Sequence, residues 1–342
     1  MTRRESLTLL ALPSLLPATT VEEAMAAAQV PSAILVIASP RQPPTFKAFN
    51  STPQTLYAAA SLSKQLTAYA VLREPKIDID KPLDDYPTVT PKILLRHSSG
   101  WPNWRFEKDQ KLAADPAPGK KFRYSGEGYV QLQALIEKVS GQPFALYMRD
   151  KVFTPLGIQR ASFAWHLDGP RAEPHNRSGE KMTFRANRIA KWNDWCAKEN
   201  LKPEALTVAD QVRLMEHLGE APLPNGMPIN AAASLEIVAE DYAKFLKAAF
   251  AEKRFAEPIT PIVEAKSGKL MWGHGWGVEE RAGHRYLWQW GDNGGYKNFV
   301  WLDVDKQKAY AVFTNGDKGR AVYERLMRQE IKMDPLAFSW LG

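Results

Sequence analysis

Strand-like segments lie at the two ends of this 342-residue chain, and helix-like segments fill the middle. Apolar runs typical of strands occupy residues 32–39, 46–49, 276–280, 286–291, 298–304 and 309–315. Strands so far apart along the chain bury their apolar faces most economically in one shared sheet covered by helices. We therefore predict an α+β fold, in which an antiparallel sheet of N- and C-terminal strands is flanked by helices and carries an inserted helical lobe.

The helix-like segments follow a period of 3.6 residues. They cover residues 21–29, 61–73, 90–96, 128–139, 235–250 and 320–332. The segment at 128–139 ends at Ser140-Gly141, which is a typical helix stop. We expect one domain over residues 21–342, with an α/β lobe formed by 21–62 and 262–342 and a helical lobe formed by 63–261.

Composition argues against several classes of protein. Lys and Arg outnumber Asp and Glu by 45 to 38, but the basic residues are scattered, and the longest basic cluster covers residues 119–123. Nucleic-acid binders usually carry a dense basic stripe, so we predict no nucleic-acid partner. The single cysteine, Cys196, excludes an intramolecular disulfide, and the histidines show no HExxH or other close ligand pair. We therefore expect no metal and no cofactor.

The N-terminus has the pattern of an export signal. Arg3 and Arg4 precede a largely apolar run over residues 7–18, which is too short to span a bilayer. The Thr-Arg-Arg start resembles a twin-arginine signal, although Ser6 stands where such signals usually carry Phe. We predict an export signal at residues 1–20, a periplasmic or secreted location and no integral membrane segment; the alternative is an unstructured cytosolic N-terminus.

Ser61-Leu62-Ser63-Lys64 opens one of the predicted helices. Residues three apart on a helix share a face, so the Lys64 amine can reach the Ser61 hydroxyl. A desolvated lysine with a lowered pKa is able to accept the serine proton and so make the serine a nucleophile. Ser-x-x-Lys is common on ordinary surfaces, so its context decides its meaning.

That context resembles the superfamily of serine β-lactamases, penicillin-binding proteins and related esterases, on the class C side. Ser61-x-x-Lys64 matches the first motif of the family. Residues 94–102 resemble its LLxHxSG-x-P segment, and residues 118–129 resemble its PG-x-x-F-x-YSN-x-GY region. Further matching segments follow in order at residues 137–144, 155–157 and 239–246.

The resemblance implies roles for several residues. Tyr124 would be the second catalytic residue, relaying protons beside Lys64. The backbone N–H groups of Ser61 and Asp292 would form the oxyanion hole. Gln289 and Gly291 would occupy the third motif, on the strand at 286–291, where they would contact the substrate.

Two substitutions depart from the family pattern. Gln289 stands where the family has a Lys or His that helps to anchor a substrate carboxylate. Gly126, another expected substrate-binding position, replaces the Asn of the YSN motif, whose amide would orient the acyl-amide group. Lys297 or Arg285 would be the substitutes for the missing cation. Both departures favour an esterase or a narrow peptidase over an efficient β-lactamase.

We therefore predict a serine hydrolase that forms a covalent acyl-enzyme on ester or amide substrates, β-lactams and D-amino-acid peptides included, with esterase-like activity favoured. The alternative is a catalytically weak sensor or peptidoglycan-binding protein with the same fold. The expected partner is a small-molecule or peptidoglycan-derived substrate, and we expect a monomer.

Tryptophans are frequent near the motifs, where they would either line an aromatic acyl or sugar pocket or pack in the core. They are Trp101, Trp104, Trp272, Trp276, Trp288 and Trp290. His97 is expected to be structural.

Overall fold

The computed structural model describes residues 20–107, 110–257, 260–265 and 268–342. Its strands are β1 (Ala33–Ser39), β2 (Gln42–Phe49), β3 (Leu56–Ala58), β4 (Ala161–Ser162), β5 (Glu236–Val238), β6 (Thr260–Ala265), β7 (Gly268–Trp272), β8 (Gly277–Arg281), β9 (His284–Asn293), β10 (Tyr296–Asp303) and β11 (Lys308–Thr314). Its α-helices are α1 (Val21–Ala28), α2 (Ser63–Arg73), α3 (Pro91–Leu95), α4 (Gly126–Ser140), α5 (Phe144–Met148), α6 (Phe184–Lys198), α7 (Val208–His217), α8 (Ala239–Ala249), α9 (Gly319–Ile331) and α10 (Leu336–Trp340).

The main sheet joins the two ends of the chain. In the part of the chain that the structure describes, it has eight strands in the order β2-β1-β11-β10-β9-β8-β7-β6, and its pairs are antiparallel. Strand β1 pairs with β11, so that Ala33 lies opposite Thr314. A smaller sheet has the order β3-β5-β4. This arrangement confirms the α+β class predicted from the sequence.

Both faces of the main sheet are covered, which explains the continuous apolar run in β1. Ile34 and Val36 belong to one buried hydrophobic cluster, and Ala33 and Leu35 belong to another. Helices α1 and α9 contact each other, and α9 packs on β10 and β11. Helix α8 contacts β1, on the side of the cluster that also contains the apolar residues of α2 and α4. A strand buried on both faces loses the alternation of polar and apolar residues.

Some expectations for individual elements were wrong. The segment predicted as a helix over 235–250 begins as strand β5, because its residues pair with β3, with Leu56 opposite Val238. The C-terminal part of the sheet contains β6 and β7 besides the four predicted strands. The polar middle of the chain forms α6 and α7, and the capping box formed by Thr207 and Asp210 is a readable start signal for α7.

The predicted export signal lies outside the described residues, apart from Thr20. The Thr20 hydroxyl accepts a hydrogen bond from the Glu23 N–H at 3.1 Å and so begins helix α1. Within the described residues, none of the helices has the length and apolar character needed to cross a bilayer.

Candidate active site

Ser61 lies in a single 3₁₀ turn, Ala60–Leu62, which connects β3 to α2. The turn is held in place because the Ala59 N–H donates to the Leu235 carbonyl at 2.8 Å. Ala60 has a φ of 52°, a left-handed conformation that costs free energy in a residue with a side chain. The sharp turn leaves the Ser61 side chain partly exposed at the start of the helix.

Lys64 lies on the first turn of α2 with its amine directed at Ser61. Its Nζ is 3.1 Å from Ser61 Oγ and also donates to the Ala232 carbonyl at 2.9 Å. The side chain is buried, and desolvation lowers the pKa of the Lys64 ammonium from 10.5 to about 7. A neutral amine that can accept the Ser61 proton is therefore substantially populated near neutral pH.

Tyr124 completes this group of side chains. The Lys64 Nζ lies 4.9 Å from the centre of the Tyr124 ring, and the phenol hydrogen-bonds the Ser61 side chain. Burial raises the pKa of Tyr124 above its usual value near 10, so the phenol keeps its proton. These pKa directions leave part of Lys64 as a neutral amine near pH 7 and keep the Tyr124 phenol protonated, as the predicted roles of base and proton donor require.

His97 supports Tyr124 from behind. The two rings lie 4.2 Å apart, and His97 Nδ1 accepts the backbone N–H of Ser125 at 3.1 Å. Burial, together with the nearby Lys64 charge, holds the pKa of His97 well below its usual range. A neutral, buried ring with these contacts agrees with the structural role expected for His97.

The last odd-numbered residues of β9, Gln289, Gly291 and Asn293, face the turn of Ser61 and the loop before β5. The Gln289 amide donates from Nε2 to the Ser61 carbonyl at 3.2 Å, and it lies 3.4 Å from the Tyr124 hydroxyl. Asn293 donates to the Ala233 carbonyl at 3.2 Å on the same side. Trp288 lies on the opposite face, as strand alternation requires. The structure thus settles the direction of Gln289, which the sequence left open.

Gly291 allows β9 to approach the 3₁₀ turn that carries Ser61. A Cβ at this position would lie 2.5 Å from the Ala59 carbonyl oxygen and 3.3 Å from the Ala60 Cβ. Among the described residues, β8 pairs with β9 only from His284 to Trp288. The end of β9 that contains Gly291 therefore extends beyond β8 and lies beside the turn of Ser61. The absence of a side chain at Gly291 therefore permits this close approach, while a contact of Gly291 with substrate stays a prediction.

The Gly291→Ala variant is expected to lose about 100-fold in kcat, because the new methyl group pushes β9 away from Ser61 and small misplacements are costly. Steady-state ester hydrolysis measures this loss. The matched control is Gly294→Ala, in the turn after β9, where the nearest atom to a new Cβ is Met182 Cε at 3.5 Å, an ordinary van der Waals contact. Equal activity of both variants would contradict the steric role of Gly291.

The two substitute cations considered for the missing lysine are engaged elsewhere. Arg285 binds the Glu280 carboxylate at 2.6 Å and the Ala256 carbonyl at 2.9 Å. Lys297 pairs with the carboxylate of Asp292 and lies 3.6 Å from that of Asp317. These contacts do not reach Ser61. The role of the Asp292 backbone N–H as a hydrogen-bond donor to the oxyanion stays a prediction.

The structure brings Ser61, Lys64, Tyr124 and Gln289 together, and their catalytic roles stay predictions. Sequence reasoning missed the contribution of the loop before β5, where the Ala232 carbonyl accepts from Lys64. A backbone acceptor leaves no side-chain signal, so only the fold reveals it.

The predicted substrate-binding residue Gly126 has no side chain to contribute. A Cβ there would lie 2.4 Å from the Trp104 ring, so this indole already occupies the space next to the residue.

Comparison with known proteins places this geometry in a family. The family model described as Beta-lactamase matches residues 18–331. Penicillin-binding protein 4* of Bacillus subtilis is 31% identical over 133 residues, which cover 30% of this chain and 30% of that protein. Teichoic acid D-alanine hydrolase of Staphylococcus aureus is 30% identical over 138 residues, which cover 34% of this chain and 35% of that protein. The match thus spans about a third of the length of these relatives.

Solved structures share the fold over most of the chain. The D-amino acid amidase from Ochrobactrum anthropi SV3 has a TM-score of 0.62 at 17% identity, covering 90% of this chain and 99% of that one. The octameric penicillin-binding protein homologue from Pyrococcus abyssi has a TM-score of 0.64 at 21% identity, covering 92% of this chain and 76% of that one. A monomer therefore stays a prediction for this protein. The family match over most of the chain and this shared fold show that the protein belongs to the β-lactamase family.

Proposed function

We propose that this protein is a serine hydrolase that cleaves ester or amide bonds through a covalent acyl-enzyme on Ser61. The observation that carries the proposal is the 3.1 Å contact between Ser61 Oγ and a buried Lys64 amine whose pKa is lowered to about 7. A serine beside a neutral amine is an activated nucleophile. Family membership supports the same chemistry.

The reaction follows from the roles of these groups. Ser61 Oγ attacks the substrate carbonyl while its proton passes to Lys64, and the backbone N–H groups of Ser61 and Asp292 stabilise the oxyanion. The bond to the leaving group then breaks, and Tyr124 donates the proton that the leaving group needs and recovers one from Lys64. Water then attacks the acyl carbonyl and gives a proton to Lys64, the bond between the acyl group and Ser61 Oγ breaks, and Lys64 returns this proton to the Ser61 oxygen.

The substrate is proposed to lack a carboxylate at the position that faces Gln289. This amide is fully buried and neutral, so a substrate carboxylate would be desolvated there without a cationic partner. Two similar proteins are a D-amino acid amidase and a teichoic acid D-alanine hydrolase. D-Amino-acyl amides and esters are therefore the first substrate class to test, ahead of β-lactams and peptides with a free C-terminal carboxylate.

Gln289→Lys is expected to change this selectivity. A buried ammonium at residue 289 would pair with a substrate carboxylate, so kcat/KM for a D-alanyl-D-alanine peptide should rise about tenfold relative to its C-terminal amide. Gln289→Met is the matched control, since it removes the amide hydrogen bonds without adding charge and should leave the ratio unchanged. An unchanged ratio in the lysine variant would count against this view of the substrate.

The sensor alternative is motivated by Gln289 and Gly126, the two departures from the family pattern. Excess p-nitrophenyl acetate distinguishes it from an enzyme. The proposed hydrolase releases many equivalents of p-nitrophenol per chain, whereas a sensor that acylates without turnover stops after about one equivalent. The intact pair of Ser61 and Lys64, with the protonated Tyr124, supports turnover.

We also propose that the protein works in the periplasm or outside the cell. The support is the Arg3-Arg4 pair followed by the apolar run at 7–18. Fractionation of cells that express the full chain tests this location, and retention of the intact N-terminus in the cytosol would contradict it.

A further inference from the structure

Trp104 occupies the space that a side chain at residue 126 would fill. A Cβ on Gly126 would lie 2.4 Å from Cη2 and 2.5 Å from Cζ2 of the indole. Gly126 follows the proposed proton donor Tyr124 by two residues and begins helix α4. The indole therefore occupies the space next to residue 126, where the family pattern has an amide.

The position of Trp104 is fixed by the residues on either side of it. The Gly126 N–H donates to Asn103 Oδ1 at 2.8 Å, and the Glu127 N–H donates to the Asn103 carbonyl at 3.0 Å. The Arg105 N–H donates to the fully buried carboxylate of Glu127 at 2.9 Å, and the guanidinium forms an ion pair with it at 3.0 Å. These bonds anchor the backbone on both sides of Trp104 to the start of α4, so the loop that carries the indole is ordered before any substrate arrives.

Trp104 packs against the border of a buried hydrophobic cluster and is not enclosed by it. Trp272 and Trp288 are fully buried, whereas Trp104 and Trp290 are partly exposed residues. Trp290 lies 4.7 Å from the ring of Tyr124. Two partly exposed tryptophans thus lie beside the segment that begins at Tyr124. An indole face offers a planar apolar surface, which favours stacking of aromatic groups over hydrogen bonding.

We propose that Trp104 determines substrate specificity by stacking on the acyl group, so that this protein prefers aromatic acyl groups to small ones. The inference rests on the proposed serine hydrolase function and names the acyl class for the same site. Gly126 is also required for this specificity, because only glycine at this position leaves room for the indole ring.

The test compares hydrolysis of p-nitrophenyl phenylacetate with that of p-nitrophenyl acetate, each corrected for the rate of Ser61→Ala. We expect the wild-type ratio of kcat/KM to favour phenylacetate at least about tenfold over the uncatalysed ratio, in the range that one apolar pocket provides. Trp104→Leu should remove most of this preference, and Trp104→Phe should keep most of it, because it retains an aromatic face.

Gly126→Ala provides an independent variant. Its methyl group displaces the indole while Trp104 itself stays in the chain, so the ratio should fall as it does in Trp104→Leu. If Trp104→Leu fails to fold by thermal melting, Gly126→Ala decides the question. An unchanged ratio in a folded variant would overturn the inference and make Trp104 a packing residue.

If the protein is not a serine hydrolase, the same measurements give a different result. In that case the wild-type protein would hydrolyse neither ester above the rate of Ser61→Ala, and a fluorophosphonate probe would not label it. That result overturns both proposals, whereas hydrolysis without any acyl preference overturns the specificity proposal alone.

Discussion

Ser61→Ala is expected to lower kcat for ester hydrolysis by at least about 10⁴-fold, the scale seen when a catalytic nucleophile is removed. The variant keeps Lys64, Tyr124 and the backbone donors, but it has no oxygen that can form the acyl-enzyme. Steady-state release of p-nitrophenol measures the loss, and the burst of the first turnover should vanish with it.

The neighbouring Ser63 is the matched control. Its hydroxyl is buried, donates to the Ala60 carbonyl at 2.6 Å and accepts the Leu235 N–H at 3.0 Å. Ser63→Ala should therefore lose about 1–2 kcal/mol of unfolding free energy, since it leaves buried polar groups unpaired, yet it should keep measurable turnover. If Ser63→Ala were inactive and Ser61→Ala active, the assignment of the nucleophile would be wrong.

Lys64→Met is expected to lower kcat by about 10²–10⁴-fold, the contribution typical of a general base. Methionine fills the same buried volume without a charge, so the fold should persist. In the wild-type protein kcat/KM should rise with pH through about 7, because the pKa of Lys64 is lowered to that value and only the neutral amine accepts a proton. This rise should be absent from Lys64→Met.

Lys64→Arg separates the base from a simple positive charge. Arginine stays protonated throughout the working pH range, so it keeps the charge but cannot accept the Ser61 proton. The account predicts that Lys64→Arg is as inactive as Lys64→Met, and an active arginine variant would contradict the role of Lys64 as a base.

Stability gives an independent check on the same pKa. The pKa of Lys64 falls from 10.5 in the unfolded chain to about 7 in the folded protein, so the unfolded state binds more protons between these two pH values. Wild-type stability should therefore rise with pH above about 7 relative to Lys64→Met, by about 2 kcal/mol over two pH units. Parallel stability curves for the two proteins would place the pKa elsewhere.

The sequence was sufficient to single out Ser61, Lys64 and Tyr124, which the structure brings together, while their catalytic roles stay predictions. The spacing of Ser61 and Lys64 predicts that their side chains meet, and they do so at 3.1 Å, although Ser61 lies in the 3₁₀ turn before α2 and not in the helix itself. The ordered family segments single out Tyr124. The class of fold was also predictable, because the apolar runs at the two chain ends need a common sheet. These inferences use local periodicity and motif order, which a sequence carries directly.

Other features depend on contacts between distant residues. Strand alternation shows that Gln289 and Trp288 point to opposite faces, but not which face meets Ser61, and β9 is apolar or buried on both sides. The Ala232 carbonyl has no side-chain signature. The ring of Trp104 fills the space next to residue 126 where the family has an amide. The sequence does not show this, because it depends on how the loop at residues 103–105 is bonded to the start of α4.

The most direct test of the central claim is to locate the covalent adduct formed by a fluorophosphonate probe. The folded protein is labelled first and then digested, and the adduct is located by peptide mass spectrometry. The account predicts one adduct per chain, on the Ser61 hydroxyl, formed faster at pH 8 than at pH 6 because more Lys64 is then neutral. An adduct on another residue, or equal labelling of a folded Ser61→Ala variant, would contradict it.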